Sequence, residues 1–548
     1  MAEIRSHCHL NNNKVWDKMK QKKEKTFYSG GYGGYCTVMI KGISRKIFLE
    51  LEPPTEEDSR SGQIRILDAL KEQDIEGKMS LKAMRQLYPL CEEAEWKITV
   101  SLAWNGQIWE IVRLEAGDRA KEHYGLAVDL GSTTVVVRLI DCNTGECLGE
   151  ESCYNHQINY GQDILTRIFY CKDNSSAMEE MRQAALDSFY ENFEKLREKT
   201  GISPEECIQI VVSGNTTMIH FLLGIDAFCV FHTPYAVWTD NPGFVPAAEA
   251  QMPVCGYMYC FPSKSNYLGG DIISGMIATG MYEEEDISVF FDIGTNGELV
   301  IGNREFLLCG AGAAGPALEG GVVKTGMRAS EGAVESVSLK DGVFDCKVIG
   351  GGDAKGICGS GIIDLLAELF LNGWLDIRGR FVPEKSSLIK ERDDMYQVEY
   401  APGLFFGQND VDEFLRTKAA AYTMVEYMLQ QSGISMEEIS KFYVAGAFGR
   451  HVSKESAVTI GMYPDMDRER LINAGNSSLE GAVRMLTDKR CLDNLDEILE
   501  KMVYIQFGAV EDFLQIMTAA QAIPHTHMER YPSVMKKLKE MGKMGEGK

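Results

Sequence analysis

No Cys-x-x-Cys pair occurs anywhere in these 548 residues. The 15 cysteines are scattered, and the closest pairs, Cys142/Cys147 and Cys255/Cys260, are each split by four residues. Zinc ribbons and iron–sulfur clusters gather four ligands with at least one tight pair, so neither is expected here. In a reducing compartment such cysteines read as small core residues. The triplet His7-Cys8-His9 reads as part of a solvated terminus rather than a ligand set. Iron and sulfide analysis after anaerobic purification should therefore find well under one iron per chain and no visible absorption band. Stoichiometric iron would mean that distant cysteines, such as Cys8 and Cys36 across a dimer, build a site.

Positive charge is also scarce. Lys and Arg number 56 against 80 Asp and Glu, a net charge of −24. That argues against nucleic acid as the partner, because phosphate-backbone binders carry a basic footprint. No apolar run is long enough for a membrane helix, and the first residues lack the apolar core of a signal peptide. A cytoplasmic protein without membrane contact is expected. The chain has no Gly-x-x-x-x-Gly-Lys-[Ser/Thr], no Gly-x-Ser-x-Gly and no His-Glu-x-x-His. P-loop, serine-elbow and zincin chemistries are thereby excluded.

What remains is an ordinary globular composition, 45% apolar and 25% charged, long enough for several domains. Residues 1–45 are polar, then glycine-rich, and read as a flexible arm. Residues 46–120 suggest a small α/β linker domain. KIFLELEPP begins as a strand, IRILDALKEQ has helical spacing, and Asn105-Gly106 marks a hairpin turn. Beyond Tyr124, strands alternate with amphipathic helices such as Met178–Gly201 and Ala419–Gly433, the mark of an α/β architecture. Residues 526–548 end in a basic tail without an obvious core face.

One turn is written twice. AVDLGSTTVVVRL (Ala127–Leu139) and FFDIGTNGELVIG (Phe290–Gly302) are each a strand, Asp-x-Gly-[Ser/Thr], and a second strand. Glycine lets phosphate oxygens approach backbone N–H groups, and the hydroxyl adds a donor. An Asp at the strand end can hold Mg²⁺ through water. Two copies in two α/β halves place Asp129 and Asp292 on opposite walls of one cleft, with a Mg-triphosphate between them. YVAGAFGRH (Tyr443–His451) carries small residues that would let an adenosine lie against the backbone. SGNTTMIHFLLG (Ser213–Gly224) and AGNSSLEGAVRML (Ala474–Leu486) look like a second duplicated pair, each a strand, Gly-Asn, two hydroxyl residues and a helix. The expectation is that these two helices cross at the hinge.

The five motifs, in this order, resemble the actin, hexokinase and heat-shock chaperone superfamily of ATPases. The resemblance implies duplicated ribonuclease-H-like lobes, lobe I at 121–285 and lobe II at 286–525, with a second connecting helix returning toward lobe I. It assigns Gly131, Ser132, Thr133 and Thr134 to the first phosphate turn and Gly294, Thr295, Asn296 and Gly297 to the second. Gly446, Ala447 and Gly449 form the adenosine turn. Gly214 and Asn215 open the first connecting helix, and Gly475 precedes the second. Asp129 and Asp292 are the catalytic and Mg²⁺-holding pair, and ATP is the nucleotide.

NHQINYGQDILTRI, YLGGDIISGM, AGAAGPALEGGVVKTGMRASEGAV, GICGSGIIDLLAELFLNGWLD and the Asn409–Lys418 segment narrow the match. They are similar to the reductive activators of corrinoid proteins, which return Co(II) corrinoid to Co(I) in methyl-transfer systems. The resemblance runs from about Lys46 to about Ala522. It implies a corrinoid protein as partner and leaves a homodimer open. The family's usual N-terminal [2Fe–2S] ferredoxin-like domain has no counterpart motif, so a separate low-potential electron donor is expected. Glu319 and Arg328, in or beside the glycine-rich stretch from Cys309, are candidates for polar contacts, and Cys358 reads as a small turn residue. Two other readings remain: a small-molecule kinase, with Asp271 as its base, and an actin-like filament former.

Overall fold

The computed structural model describes residues 42–172, 174–294, 296–313, 323–446, 452–505 and 511–543. The chain first builds a four-stranded sheet from β1 (Ser44–Glu50), β2 (Gly77–Met79), β3 (Lys97–Trp104) and β4 (Trp109–Ala116), in the order β1-β3-β4-β2. Ser44 and Arg45 thus already belong to a strand, inside the stretch expected as an arm. Helix α1 (Gly62–Lys71) buries Ile66 and Leu70 against Ile98, Val100, Leu102 and Ile111. The Asn105-Gly106 turn forms as expected. Asn105 Oδ1 accepts from the backbone N–H of Gln107 and Ile108, and Gly106 takes φ +97°, where a Cβ would be strained.

Two larger sheets repeat one plan. In lobe I, β5 (Tyr124–Leu130), β6 (Thr134–Asp141) and β7 (Cys147–Tyr154) form an antiparallel meander. After α2 (Ser175–Thr200), β8 (Cys207–Gly214) returns parallel to β5. Helix α3 (Thr216–Leu222) follows, and β9 (Gly243–Pro246) and β10 (Tyr257–Cys260) complete the order β7-β6-β5-β8-β10-β9. Helix α4 (Gly270–Thr279) closes the lobe.

Lobe II begins with a second meander, β11 (Ser288–Ile293), β12 (Asn296–Gly302) and β13 (Leu307–Ala313). A three-stranded insert of β14 (Ala333–Lys340), β15 (Val343–Val348) and β16 (Gly356–Ile357) leads into α5 (Gly359–Leu371). A second insert, β17 (Ile389–Arg392), β18 (Met395–Ala401) and β19 (Leu404–Gly407), leads into α6 (Gln408–Ser432). Then β20 (Lys441–Ala445) lies parallel to β11, and β21 (Leu471–Gly475) parallel to β20. Helix α7 (Ser477–Thr487) follows, β22 (Met502–Tyr504) adds to β13, and α8 (Pro532–Glu540) ends the chain's described elements. Each lobe is therefore a three-strand meander followed by parallel strands, the duplicated actin-like plan. The first strand of each meander, β5 and β11, is buried along most of its length and reads as an apolar run, whereas β6 and β7 alternate.

Two expectations need correction. The helix after Gly214, α3, does not cross α7. It is buried throughout and packs against α2 inside lobe I. Its topological counterpart in lobe II is the turn after β20, since β8 and β20 both pair with the first strand of their lobe. The helix that pairs with α7 is α4, which follows β10 as α7 follows β21. Gly481 makes that crossing: a Cβ there would lie 2.0 Å from the Ser274 carbonyl oxygen. The similarity of Gly-Asn-Thr-Thr and Gly-Asn-Ser-Ser lies in their N-caps, Asn215 to the Met218 N–H and Asn476 to the Leu479 N–H. The second correction is at the C-terminus. The stretch read as a tail without a core face forms α8, which buries Val534 and Leu538.

Candidate active site

The strand ends bring the two repeated turns together. The β5–β6 turn is closed by Gly131 N–H donating to Thr134 O at 3.1 Å. Asn155 braces it from the next strand, its backbone N–H on Thr133 O and its Nδ2 on Gly131 O, both at 2.9 Å. Ser132 and Thr133 are half-buried at the tip. In the second turn Gly294 N–H donates to Asn296 O at 2.9 Å, Asn296 is exposed and Gly297 is buried. Gly446 caps β20 at φ +90°, and a Cβ there would sit 2.8 Å from Asp292 Oδ1. Only glycine lets the third motif approach that carboxylate so closely. Gly214 ends β8 beside Leu130, and Asn215 caps α3. Thr295, Ala447 and Gly449 lie outside the described residues, as do the His7–His9 triplet and Glu319.

Four carboxylates converge on this cleft. Asp129 and Asp292 arrive from the two repeated turns, Asp271 from the first turn of α4, and Glu298 from β12, where it stands directly opposite Asp292 in the ladder. Among the described residues none of the four makes an ion pair. Burial is the main cause that lifts their protonation equilibria, and mutual repulsion adds to it. Asp292 is pushed up to about 7 by burial and by the charges of Asp271 and Asp129. Asp271 is likewise pushed to about 7, chiefly by burial. Glu298 is raised well above its ordinary range by burial and by Asp271 and Asp292. Asp129 is raised by burial but partly relieved by two hydrogen bonds.

Those two bonds cross between the lobes. Asn476 Nδ2 donates to Asp129 Oδ2 at 2.8 Å, and Ser478 Oγ to Oδ1 at 2.7 Å. Ser478 Oγ is 2.9 Å from Ser213 Oγ, which is 2.7 Å from Ser274 Oγ. Hydroxyls from β8, α4 and α7 thus form one line ending on Asp129. Asp292 has no such partner among the described residues. The two aspartates are equivalent by repeat but not by surroundings: Asp129 is held by side chains of α7, and Asp292 is not.

Sequence patterns pointed to Asp271 only as the mark of another activity, and passed over Glu298, Ser478 and Ser213. Glu298 was within reach: a tight hairpin that pairs Ile293 with Gly297 must pair Asp292 with Glu298. The serines are ordinary small residues until the helices are placed. Cys358 is the buried N-cap residue of α5, its Sγ 3.4 Å from Val334 O, a core position. A cavity of about 310 Å³ lies elsewhere in lobe II, lined by Tyr422, Glu426, Arg530 and Tyr531 among others, and includes none of the residues expected to bind nucleotide.

Comparison with known proteins accounts for almost the whole chain. Residues 37–121 match the RACo linker region, 124–284 the RACo middle region, and 286–535 the C-terminal, ASKHA domain of RACo. A solved structure of a reductive activator for corrinoid, iron–sulfur protein superposes with a TM-score of 0.83 at 32% identity. It covers 93% of this chain and 82% of that one. The chain belongs to the RACo family. Among its relatives is the corrinoid activation enzyme RamQ of Eubacterium limosum, 28% identical over 394 residues, 69% of this chain and 66% of RamQ. The match thus spans just under two thirds of that relative's length. Another is a [Co(II) methylated amine-specific corrinoid protein] reductase of Methanosarcina barkeri, 23% identical over 69% of this chain and 73% of the relative. In this RACo-family chain, the cleft lies where the middle and ASKHA regions meet: Asp129 and Asp271 come from the former, Asp292 and Glu298 from the latter. Among the described residues no helix is long and apolar enough to cross a membrane.

Proposed function

We propose that this chain hydrolyses Mg-ATP and couples the reaction to the return of a partner corrinoid from Co(II) to Co(I). The observation that carries the reading is the cluster of four carboxylates at the lobe junction, from the two repeated turns, β12 and α4, with no ion pair among the described residues. An all-oxygen, excess-negative donor set fits a hydrated Mg²⁺, which accepts carboxylates and keeps several waters. Asp292 and Asp271 would hold it, with Asp129 and Glu298 beside them. When bound, the ion would neutralise charge on the phosphates. The amides of the two turns would bind the phosphates. Gly446, with Ala447 and Gly449, would admit the adenosine.

Physics gives ATP a task. Each ~59 mV of an uphill one-electron step costs about 1.4 kcal/mol. A nucleotide changes such an equilibrium only by binding two partner-bound lobe arrangements unequally. The Asn476 and Ser478 contacts to Asp129 tie the cleft to the lobe arrangement. The proposed electron donor is a separate low-potential carrier. The partner is a corrinoid protein of a methyl-transfer system.

The test is anaerobic. With ATP, reductant and a cognate Co(II) corrinoid protein, the Co(I) absorption band should grow, and omission of ATP, reductant or this protein should suppress it. The Co(II) partner should raise the ATPase rate, and the Co(I) form should bind more weakly, since coupling between sites is reciprocal. Equal Co(I) formation without ATP or without this protein would overturn the reading. The position of Asp271 favours one second reading, a kinase, because a phosphotransfer base must lie beside the phosphates. Phosphorylation of a sugar or carboxylic acid, with no response to a corrinoid partner, would favour it.

A further inference from the structure

A cation of lobe II lies against lobe I beside the first repeated turn. The backbone just before Arg328 is fixed: Met327 N–H donates to Ile357 O at 2.9 Å, and Gly326 bridges to the same strand residue. From that rail the Arg328 side chain extends to lobe I, its guanidinium carbon 5.4 Å from the centre of the Tyr154 ring. Tyr154 is the last residue of β7 and stands opposite Thr134, the end of the first repeated turn. Its neighbour Asn155 braces that turn through Gly131 and Thr133. The arginine therefore rests beside the first turn although it belongs to the other lobe.

Its surroundings are unusual in what they leave unsatisfied. Arg328 is exposed, and among the described residues it makes no ion pair. Tyr154 is 58% exposed, so the ring offers only a weak, solvent-screened hold. On the inner side of the same turns, four carboxylates repel one another. A triphosphate placed there meets negative charge on that side and needs cations on the other. A guanidinium is suited to the task, because its planar fork gives two parallel N–H bonds to phosphate and cannot lose its charge.

We propose that Arg328 contacts the terminal phosphate of ATP in the closed enzyme, with the Tyr154 ring as its resting place when no nucleotide is bound. The inference rests on the nucleotide reading above. In hydrolysis a water oxygen bonds to the γ-phosphorus, and the P–O bond to ADP breaks with its electron pair left on ADP. The water proton passes to the phosphate product or to solvent. Charge spreads over the terminal phosphoryl oxygens as that bond breaks, and a cation at those oxygens lowers the barrier. Because the arginine comes from lobe II and the turn from lobe I, the contact can be completed only in a lobe arrangement that keeps them adjacent.

The experiment uses the full chain and its Arg328→Ala, Arg328→Lys and Tyr154→Leu variants. Single-turnover hydrolysis, KM for MgATP, and calorimetric Kd values for MgATP and MgADP are the readouts. Arg328→Ala should lower kcat on the order of 10²-fold. Its affinity for MgADP, which lacks the terminal phosphate, should stay within a few-fold of the parent's. Arg328→Lys should recover part of the rate, and Tyr154→Leu should lose far less than Arg328→Ala. Parental kcat in Arg328→Ala, or equal losses of MgATP and MgADP affinity, would overturn the proposal. So would a Tyr154→Leu loss as large as that of Arg328→Ala, which would make the ring contact itself the function. If the parent chain fails to bind MgATP, it is the nucleotide reading that falls, a result separable from the others.

Discussion

Asp292→Asn should cut ATP hydrolysis on the order of 10²–10³-fold while the protein remains folded. The aspartate stands at the end of β11 with Gly446 pressed against one oxygen and no hydrogen-bond partner among the described residues. Its position suits a cation, and asparagine offers that cation no charge. The fold should tolerate the change because the substitution is isosteric and removes one member of a mutually repelling set. Apo protein should melt no lower than the parent. What should vanish is the rise in melting temperature that Mg-nucleotide gives the parent, since a ligand stabilises only a state it binds. Steady-state ATPase and thermal melts with and without MgADP decide the matter. A parental ATPase rate in this variant would remove Asp292 from the site. The corresponding Asp129→Asn carries a further cost, because its oxygens hold α7, so the cleaner variant is Asp292→Asn.

Gly481→Val should be harsher still, and for a different reason. A Cβ at Gly481 would lie 2.0 Å from Ser274 O and 2.5 Å from its carbonyl carbon. Both are backbone atoms of α4, and neither can turn aside as a side-chain end could. Helices α4 and α7 would have to separate along their length, opening the apolar core that joins Ile273 and Met276 to Ala482, Met485 and Phe290. Overpacking of this sort typically costs about 1–3 kcal/mol, and more where backbone must move. Separation would also pull Ser478 from Ser213 and Asp129. The expected outcome is little soluble protein, and in what is recovered a melting temperature many degrees lower and no measurable ATPase. Gly481→Ala should show the same direction less severely. A Gly481→Val protein that melts and turns over like the parent would mean the helices do not cross so closely.

How far the sequence led depended on distance along the chain. The doubled hairpins, the linker sheet with its Asn105-Gly106 turn and the long helices α2 and α6 rest on local patterns, and local patterns survive folding. Pairing between distant elements does not announce itself in the same way. Gly-Asn-Thr-Thr and Gly-Asn-Ser-Ser look like repeats because each caps a helix with asparagine, yet strand order makes α4, not α3, the partner of α7. Nothing local in Gly270–Thr279 says that its Ser274 will meet a glycine two hundred residues away. The acidic cluster divides the same way. Asp129 and Asp292 stand in a recognisable turn, Glu298 follows from hairpin register, and Asp271 is brought in by tertiary packing alone. The C-terminal helix was missed because its apolar residues are few in a lysine-rich stretch, and nothing local says that Val534 and Leu538 are the ones to be buried.

The shared core between the lobes has an evolutionary edge. A duplication begins with interchangeable halves, either of which could pair with a copy of itself. Here the halves have become complementary. One contributes α4, whose main chain at the buried Ser274 forms the crossing face, and the other contributes α7, where Gly481 leaves room for it. The close approach needs one helix of each kind, the glycine of α7 against the main chain of α4. The helix that seats its glycine on α4 is also the one whose Asn476 and Ser478 hold Asp129, so the same joint that unites the halves sets one aspartate apart from its twin.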